Sequence, residues 1–326
     1  MAETFRVYRS LEEVPPDFGP SALTIGNFDG VHAGHRKIMR RAAALGKARG
    51  WKPSVLTFDP HPARVVAPER APRLMTSPEQ RVGMMRHEGI RQVLILPFDA
   101  EFARIAPEHF VERILVDKLK AKAVLVGDNF RFGHRHAGDV RMLERLGEQL
   151  GFATEVVPAV TLRGRPVSSS AIRHAIEKGQ VAKAARMLEA PFGLEGNVVR
   201  GHGVGSRQTV PTLNLDTPSQ VLPATGVYIT RTEDVENGRT WPSVTNIGFR
   251  PTFGGDSQRS IETFLLSPLE GPPPSRIRVE FLWRLREERR FDSPERLKAQ
   301  ILRDAGRARA YFRRLGKWTK REQLTY

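Results

Sequence analysis

Two histidines three positions apart, His32 and His35, follow a turn bounded by glycines. Residues 23–36 read LTIGNFDGVHAGHR: an apolar run, then Gly26, Asn27, Phe28, Asp29 and Gly30, then the histidines. A spacing of three puts both imidazoles on one face of a first helical turn. Glycines after a strand let backbone N–H groups approach a phosphate, and a helix N-terminus adds a positive dipole. Two histidines without a third ligand make a poor zinc site. The pattern points to hydrogen-bond donors aimed at phosphate oxygens.

Two other stretches carry chemistry. Residues 165–173, RPVSSSAIR, set a run of serines between Arg165 and Arg173. Serines in that position also serve as helix caps. Gly201, Gly203 and Gly205 alternate ahead of Pro211, Thr212, Leu213 and Asn214. Taken alone, alternating glycines fit a nucleotide loop and a glycine-rich hairpin equally well.

The elements that must hold these residues fall into two patterns. In the first half, the spacing predicts strands at 21–25, 53–58, 92–97, 123–127 and 154–157. Helices are predicted at 35–49, 78–89, 107–119 and 139–151. Short apolar runs separated by helices indicate a parallel sheet covered on both faces. Two short helices follow at 168–178 and 181–189. From Gly193 onward the signals are strands and glycine turns, at 194–200, 226–231, 241–247, 261–266 and 277–285, which suggests an antiparallel barrel. A long helix is predicted at 294–315, and the boundary falls near the APFG segment, at 188–193.

The bulk composition fits this division. A chain of 326 residues with 40% apolar and 27% charged residues suits two soluble domains. There are no cysteines, which excludes disulfides, thiolate metal sites and cysteine nucleophiles. No apolar run approaches the roughly 18 residues that span a bilayer. The first residues lack a signal-peptide layout. A cytoplasmic protein without a membrane partner is expected. The formal charge of +16 is uneven: residues 276–326 hold 16 Lys and Arg against seven Asp and Glu, whereas residues 191–275 hold six against eight. A basic tail of this kind reads as a solvated helix face or as a polyanion contact.

Residues 26–35, GNFDGVHAGH, resemble the H-x-G-H signature of the nucleotidylyltransferase superfamily. More particularly, they resemble the prokaryotic bifunctional riboflavin kinase/FMN adenylyltransferase (FAD synthetase) family. Further motifs of that family occur in order: DPHP at 59–62, GDNFRFGHRHAGD at 127–139, RPVSSSAIR at 165–173, GHGVGSRQTVPTLN at 201–214, GVY at 226–228 and NIGFRPT at 246–252. Residues 291–311 are similar to the family's terminal helix, so the resemblance covers almost the whole chain.

The resemblance implies an α/β plus all-β fold. Residues 1–188 would form a Rossmann-like nucleotidylyltransferase domain with a parallel sheet. Residues 189–326 would form an antiparallel β-barrel riboflavin kinase domain with a terminal helix. The implied activities are phosphorylation of riboflavin by ATP to FMN, then adenylylation of FMN by ATP to FAD with release of pyrophosphate. The implied partners are riboflavin, FMN and ATP with Mg²⁺, and a homo-oligomer stays open. In the first domain, His32 and His35 would hold the reacting phosphates and Gly26, Asn27, Phe28, Asp29 and Gly30 would line the nucleotide. Asn129 would sit in the flavin-phosphate loop. Arg165 and Ser168, with Ser169, Ser170 and Arg173, would form a second phosphate clamp. In the second domain the nucleotide would meet Gly201, Gly203, Gly205, Arg207, Pro211 and Asn246. Thr212 and Asn214 would bind Mg²⁺–ATP, and Glu262 would be the general base.

The sequence departs from the family in one loop. The usual pattern is Gly-Arg/Lys-x-Leu-Gly-x-Pro-Thr, whereas residues 205–212 read GSRQTVPT. The basic residue is shifted by one, Thr209 stands in a glycine position, and Leu213 replaces an alanine. These departures keep an alternative in play, an FMN adenylyltransferase whose C-terminal domain only binds flavin. A more distant alternative is a basic nucleic-acid-binding protein built on the tail.

Overall fold

The computed structural model describes residues 4–199, 212–216, 220–251 and 257–322. The chain forms two compact units, Met1–Ser169 and Ser170–Tyr326.

The first unit is built on a six-stranded, all-parallel sheet. Its order is Arg6–Tyr8, Gln92–Pro97, Lys52–Asp59, Ser21–Ile25, Ala121–Gly127, Ala153–Val157. Alternate residues of each strand supply opposite cores, as a pleated strand dictates. Leu23, Leu56, Leu94 and Val124 face one way, toward Phe110, Ile114 and Leu143. Val55, Val93 and Ile95 face the other with Met39 and Met85, and Ala22, Ala123 and Leu125 join Ala42 there. Both faces are therefore covered, which explains the continuous apolar runs. The strand order reverses between Ser21–Ile25 and Ala121–Gly127. In open α/β sheets, ligands bind beyond the strand C-termini at such a reversal.

Local signals set the helix ends. Helix Ala33–Arg49 stops at Gly50, which adopts φ 69°. Helix Pro78–His87 opens with a capping box between Ser77 and Gln80. Asp139 caps helix Val140–Leu150, and Gly151 at φ 79° closes it. The helix expected at 107–119 differs in kind. One α-helical turn, Pro107–His109, passes into a π-helix over Phe110–Lys118, where Leu119 N–H reaches back to the Ile114 carbonyl.

The second unit is a closed six-stranded barrel ordered Phe192–Val199, Thr212–Asp216, Ser257–Leu265, Thr240–Pro251, Gly226–Asp234, Arg276–Arg286, all antiparallel. Its interior holds Leu194, Tyr228, Val279 and Phe281. It also holds a chain of fully buried hydroxyls. Thr263 bonds Thr245 at 2.9 Å, Thr245 bonds Thr230 at 2.8 Å, and Ser243 joins Thr230 and Thr232 at 2.8 Å each. Each hydroxyl thus finds a partner, as buried polar groups must. The terminal helix Pro294–Glu322 lays Ala308, Tyr311 and Phe312 against Val227, Ile229 and Val244. Near its start, the Asp304 carboxylate accepts from Arg286 at 2.8 Å and from Gln300 at 2.9 Å.

Candidate active site

The turn after strand Ser21–Ile25 is bent by its own residues. Phe28, Gly30 and Val31 have φ of 50°, 81° and 40°. For a phenylalanine and a β-branched valine that region costs about 1–3 kcal/mol each, so neighbours must hold it. Asp29 is one such neighbour. Its carboxylate accepts from the backbone N–H groups of Met75 and Thr76 at 2.9 and 3.1 Å, and from the Thr76 hydroxyl at 3.1 Å. The Thr76 hydroxyl also accepts from Gly30 N–H at 3.1 Å. Asp29 is 1% exposed, so its carboxylate braces the turn from below. Gly26 lies under Phe28: a Cβ there would stand 3.1 Å from the ring.

The turn delivers the two histidines as a stacked pair. His32 is the N-cap of helix Ala33–Arg49, and its Nδ1 accepts from His35 N–H at 3.4 Å. The two rings lie 3.6 Å apart and 18° from parallel, and Phe28 meets His35 edge-on at 5.1 Å. His35 Nδ1 is buried with no protein hydrogen-bond partner among the described residues. Burial, and then the neighbouring His32, hold the His35 imidazole well below the usual histidine range. It is therefore neutral at pH 7 and stands as a donor or acceptor rather than a cation. This depression has a consequence for stability. Below the ordinary histidine value of about 6.5, the unfolded chain takes up a proton that folded His35 refuses, so stability falls as pH drops from there toward the folded value. Thermal unfolding between pH 7.5 and 5 is expected to show a shallower loss in His35→Asn than in the unsubstituted chain. Parallel curves would refute the assignment.

The serine run reaches the same turn. Arg163 and Gly164, at φ 51° and 74°, make the hairpin turn between Thr161–Leu162 and Arg165–Pro166. Arg165 stands exposed on that hairpin. Beyond it, the Ser169 hydroxyl donates to the Asp29 carbonyl at 3.1 Å. Ser169 is also the first residue of helix Ser169–Glu177. Ser168 is exposed, and Ser170 and Arg173 lie in the second unit. Asn129 is exposed just after strand Ala121–Gly127, the neighbour of the histidine-bearing strand. Its loop begins a set of phenylalanines that the motifs did not single out. Phe130–Phe132, Phe132–Phe110, Phe110–Phe102, Phe102–Phe98 and Phe98–Phe58 are in ring contact at 5.4–6.3 Å. The signal was present in the spacing of NFRF and PFDAEF. Phe98, Phe102 and Phe130 remain partly exposed, as an apolar platform requires.

In the barrel, strand register assembles the second group. Asn214 is the cross-strand partner of Glu262, and Glu262 is the partner of Asn246. Three adjacent strands thus present one row of side chains, with neighbouring Cβ atoms about 5 Å apart. Thr212 lies two residues along the same face, opposite Phe264. Asn214 is buried, Glu262 and Asn246 half-buried, and Thr212 exposed. Gly201, Gly203, Gly205, Arg207, Pro211 and Thr252 lie outside the described residues. The hydroxyl, amide and carboxylate oxygens of this row are hard donors suited to Mg²⁺. No cluster of three or more His, Cys, Asp or Glu side chains suited to a metal occurs among the described residues. Such an ion would therefore also need phosphate oxygens, as in Mg²⁺–ATP.

Comparison with known proteins identifies the family of each half of the chain. The family model for FAD synthetase matches residues 15–171, and that for riboflavin kinase matches residues 188–312. A bifunctional riboflavin kinase/FMN adenylyltransferase from Pseudomonas fluorescens is 36% identical over 305 residues, covering 94% of this chain and 97% of that one. The Escherichia coli K12 protein of the same name is 36% identical over 290 residues, covering 89% and 92%. The Bacillus subtilis protein is 31% identical over 302 residues, covering 91% and 94%. A crystal structure described as a macrolide-efflux protein from Streptococcus pneumoniae superimposes with a TM-score of 0.83 at 25% identity, covering 94% of this chain and 98% of that one. No helix among the described residues of the present chain is long and apolar enough to cross a membrane. With both domain families matched in order and relatives alike along nearly their whole length, the chain belongs to the bifunctional riboflavin kinase/FMN adenylyltransferase family.

Proposed function

We propose that the chain makes FMN from riboflavin and ATP in residues 189–326, and FAD from FMN and ATP in residues 1–188. The observation that carries the reading is the pair of assembled sites: the stacked histidines with Ser169 on one turn, and the Asn214–Glu262–Asn246 row on one barrel face.

In adenylyl transfer, an FMN phosphate oxygen bonds to the α-phosphorus of ATP, and the bond to the β-phosphate oxygen breaks, releasing pyrophosphate. The attacking phosphate is already ionised at pH 7, so no general base is required. Positioning and charge stabilisation carry the step. His32, His35 and the N-terminus of helix Ala33–Arg49 offer donors to the phosphates. Within the same unit, Ser169 lies on the turn through its bond to the Asp29 carbonyl, and Arg165 and Ser168 are exposed just before it; the family resemblance adds Ser170 and Arg173 to this phosphate clamp. The phenylalanine platform beside Asn129 suits the planar flavin ring, which needs an apolar wall.

In the kinase step, the ribityl hydroxyl loses its proton to Glu262 as its oxygen bonds to the γ-phosphorus, and ADP leaves. Thr212 and Asn214 would hold Mg²⁺ with the ATP phosphates, and Asn246 would orient the carboxylate or the nucleotide. When bound, the ion offsets negative charge on the transferring phosphoryl group. The row of amide and carboxylate side chains favours a working kinase over a domain that only binds flavin. A cytoplasmic setting suits two reactions that draw on ATP. Incubation with riboflavin, ATP and MgCl₂, followed by chromatography, is expected to show FMN first and FAD later. Absence of both products would overturn the proposal.

A further inference from the structure

Arg81, on helix Pro78–His87, is 1% exposed and is among the largest fully buried side chains of the described residues. Its Nη1 donates to the Asn27 carbonyl at 2.8 Å, and the Thr57 hydroxyl approaches the same carbonyl at 3.4 Å. Its Nε and Nη2 have no hydrogen-bond partner among the described residues. The nearest ion-pair oxygen is Asp59 Oδ1, 3.9 Å from Nη2, on a side chain 45% exposed. Burial pushes the guanidinium downward, against the opposing pull of Asp29, Asp59 and Glu79. A buried charge with unmet N–H groups is costly, and a thioether or alkyl chain would fill the space without that cost. The expense falls at one place, directly beneath the Gly26–Gly30 turn. Asp59 opens the D-P-H-P motif, whose chemistry the two sites leave unused.

We propose that Arg81 is a positioning residue for adenylyl transfer: it fixes the turn through the Asn27 carbonyl, and its second edge closes onto Asp59 when polyphosphate fills the turn. The inference rests on the adenylyltransferase reading of that turn. A planar fork can engage the carbonyl and the carboxylate together, whereas a single ammonium cannot reproduce that geometry. The Asn27 carbonyl lies one residue before Phe28, whose ring packs on His35. A shift at Asn27 therefore reaches the imidazole pair. Misplacement of reacting groups by about 1 Å lowers a rate by about 10²-fold.

The test uses the full chain with Arg81→Lys, Asp59→Asn and the double variant. Initial rates of FAD formation from supplied FMN give kcat and the KM for ATP. FMN formation from riboflavin in the same preparation reports on the other site. Arg81→Lys is expected to lose about 10²-fold in adenylyl-transfer kcat, with the KM for ATP near that of the unsubstituted chain and FMN formation unchanged. Asp59→Asn is expected to lose roughly tenfold in kcat, and the double variant to be no worse than Arg81→Lys, because the two act as one coupled pair. Full kcat in Arg81→Lys, or losses that multiply in the double variant, would overturn the inference. Should Arg81→Lys fail to fold, Asp59→Asn at its half-exposed position decides alone, and normal kcat there overturns it. An unsubstituted chain that makes no FAD overturns the reading of the turn and this inference with it. An active parent with unaffected variants overturns this inference alone.

Discussion

The double variant His32→Ala with His35→Ala is expected to accumulate FMN from riboflavin and to make no measurable FAD. The two imidazoles are stacked 3.6 Å apart at the N-terminus of helix Ala33–Arg49, so they act on one small region. Removing one preorganised donor to a developing charge typically costs about 10²–10³-fold. Removing both donors from a step that has no base to fall back on leaves little to sustain it. The structural cost is modest by comparison. His32 caps the helix, and loss of a cap costs about 1 kcal/mol. Asp29, Thr76 and the sheet core still hold the turn. FMN formation serves as the internal control, because Asn214, Glu262 and Asn246 belong to the other unit. Chromatography of a riboflavin, ATP and MgCl₂ reaction reads both products at once. Loss of FMN formation in a folded variant would defeat the two-site assignment, and sustained FAD formation would remove the histidines from the chemistry.

How far the sequence leads depends on whether the deciding contact is local. Gly50, Ser77, Asp139 and Gly151 announce helix ends because capping is settled within a few residues. The buried strands are legible because both faces of a parallel sheet are covered, which makes the runs continuously apolar. Strand Arg6–Tyr8 is not legible: it has three residues, two of them exposed, and exists only because Gln92–Leu94 offers it a ladder. Strand Thr212–Asp216 follows directly on the glycine-rich segment, and its identity comes from pairing with Glu262–Phe264. The π-helical turns of Phe110–Lys118 leave no mark in an apolar spacing that suits an α-helix equally. Within the sites, motifs named the histidines and the serines but not the use of Asp29, which braces the turn through residues more than 40 positions away. The phenylalanine platform shows in the sequence only as the pairs in NFRF and PFDAEF, and Arg81 stands in no recognisable spacing. The joining of those pairs through Phe110 and the burial of Arg81 are products of tertiary packing.

Glu262→Gln is expected to cost about 10²–10⁴-fold in riboflavin kinase turnover, the usual contribution of a general base. The substitution preserves size and one hydrogen-bonding oxygen and removes only the capacity to take a proton. Glu262 sits at the centre of a three-strand row, between Asn214 and Asn246, so its direction is fixed by register rather than by a flexible loop. Thr263, the next residue, points into the barrel and is tied to Thr245 at 2.9 Å, which anchors the strand from the other face. The amide variant should therefore keep its place, and ATP binding should change little. FAD formation from supplied FMN should persist, because that nucleophile arrives ionised at a site on the other unit. The two measurements together separate a base from a packing residue. A packing defect would lower ATP affinity along with turnover, whereas loss of a base lowers turnover alone and leaves the KM for ATP near its starting value. If Glu262→Gln retained most of its kinase turnover, the carboxylate would be a half-buried packing residue that happens to face the row, and another group would have to accept the ribityl proton.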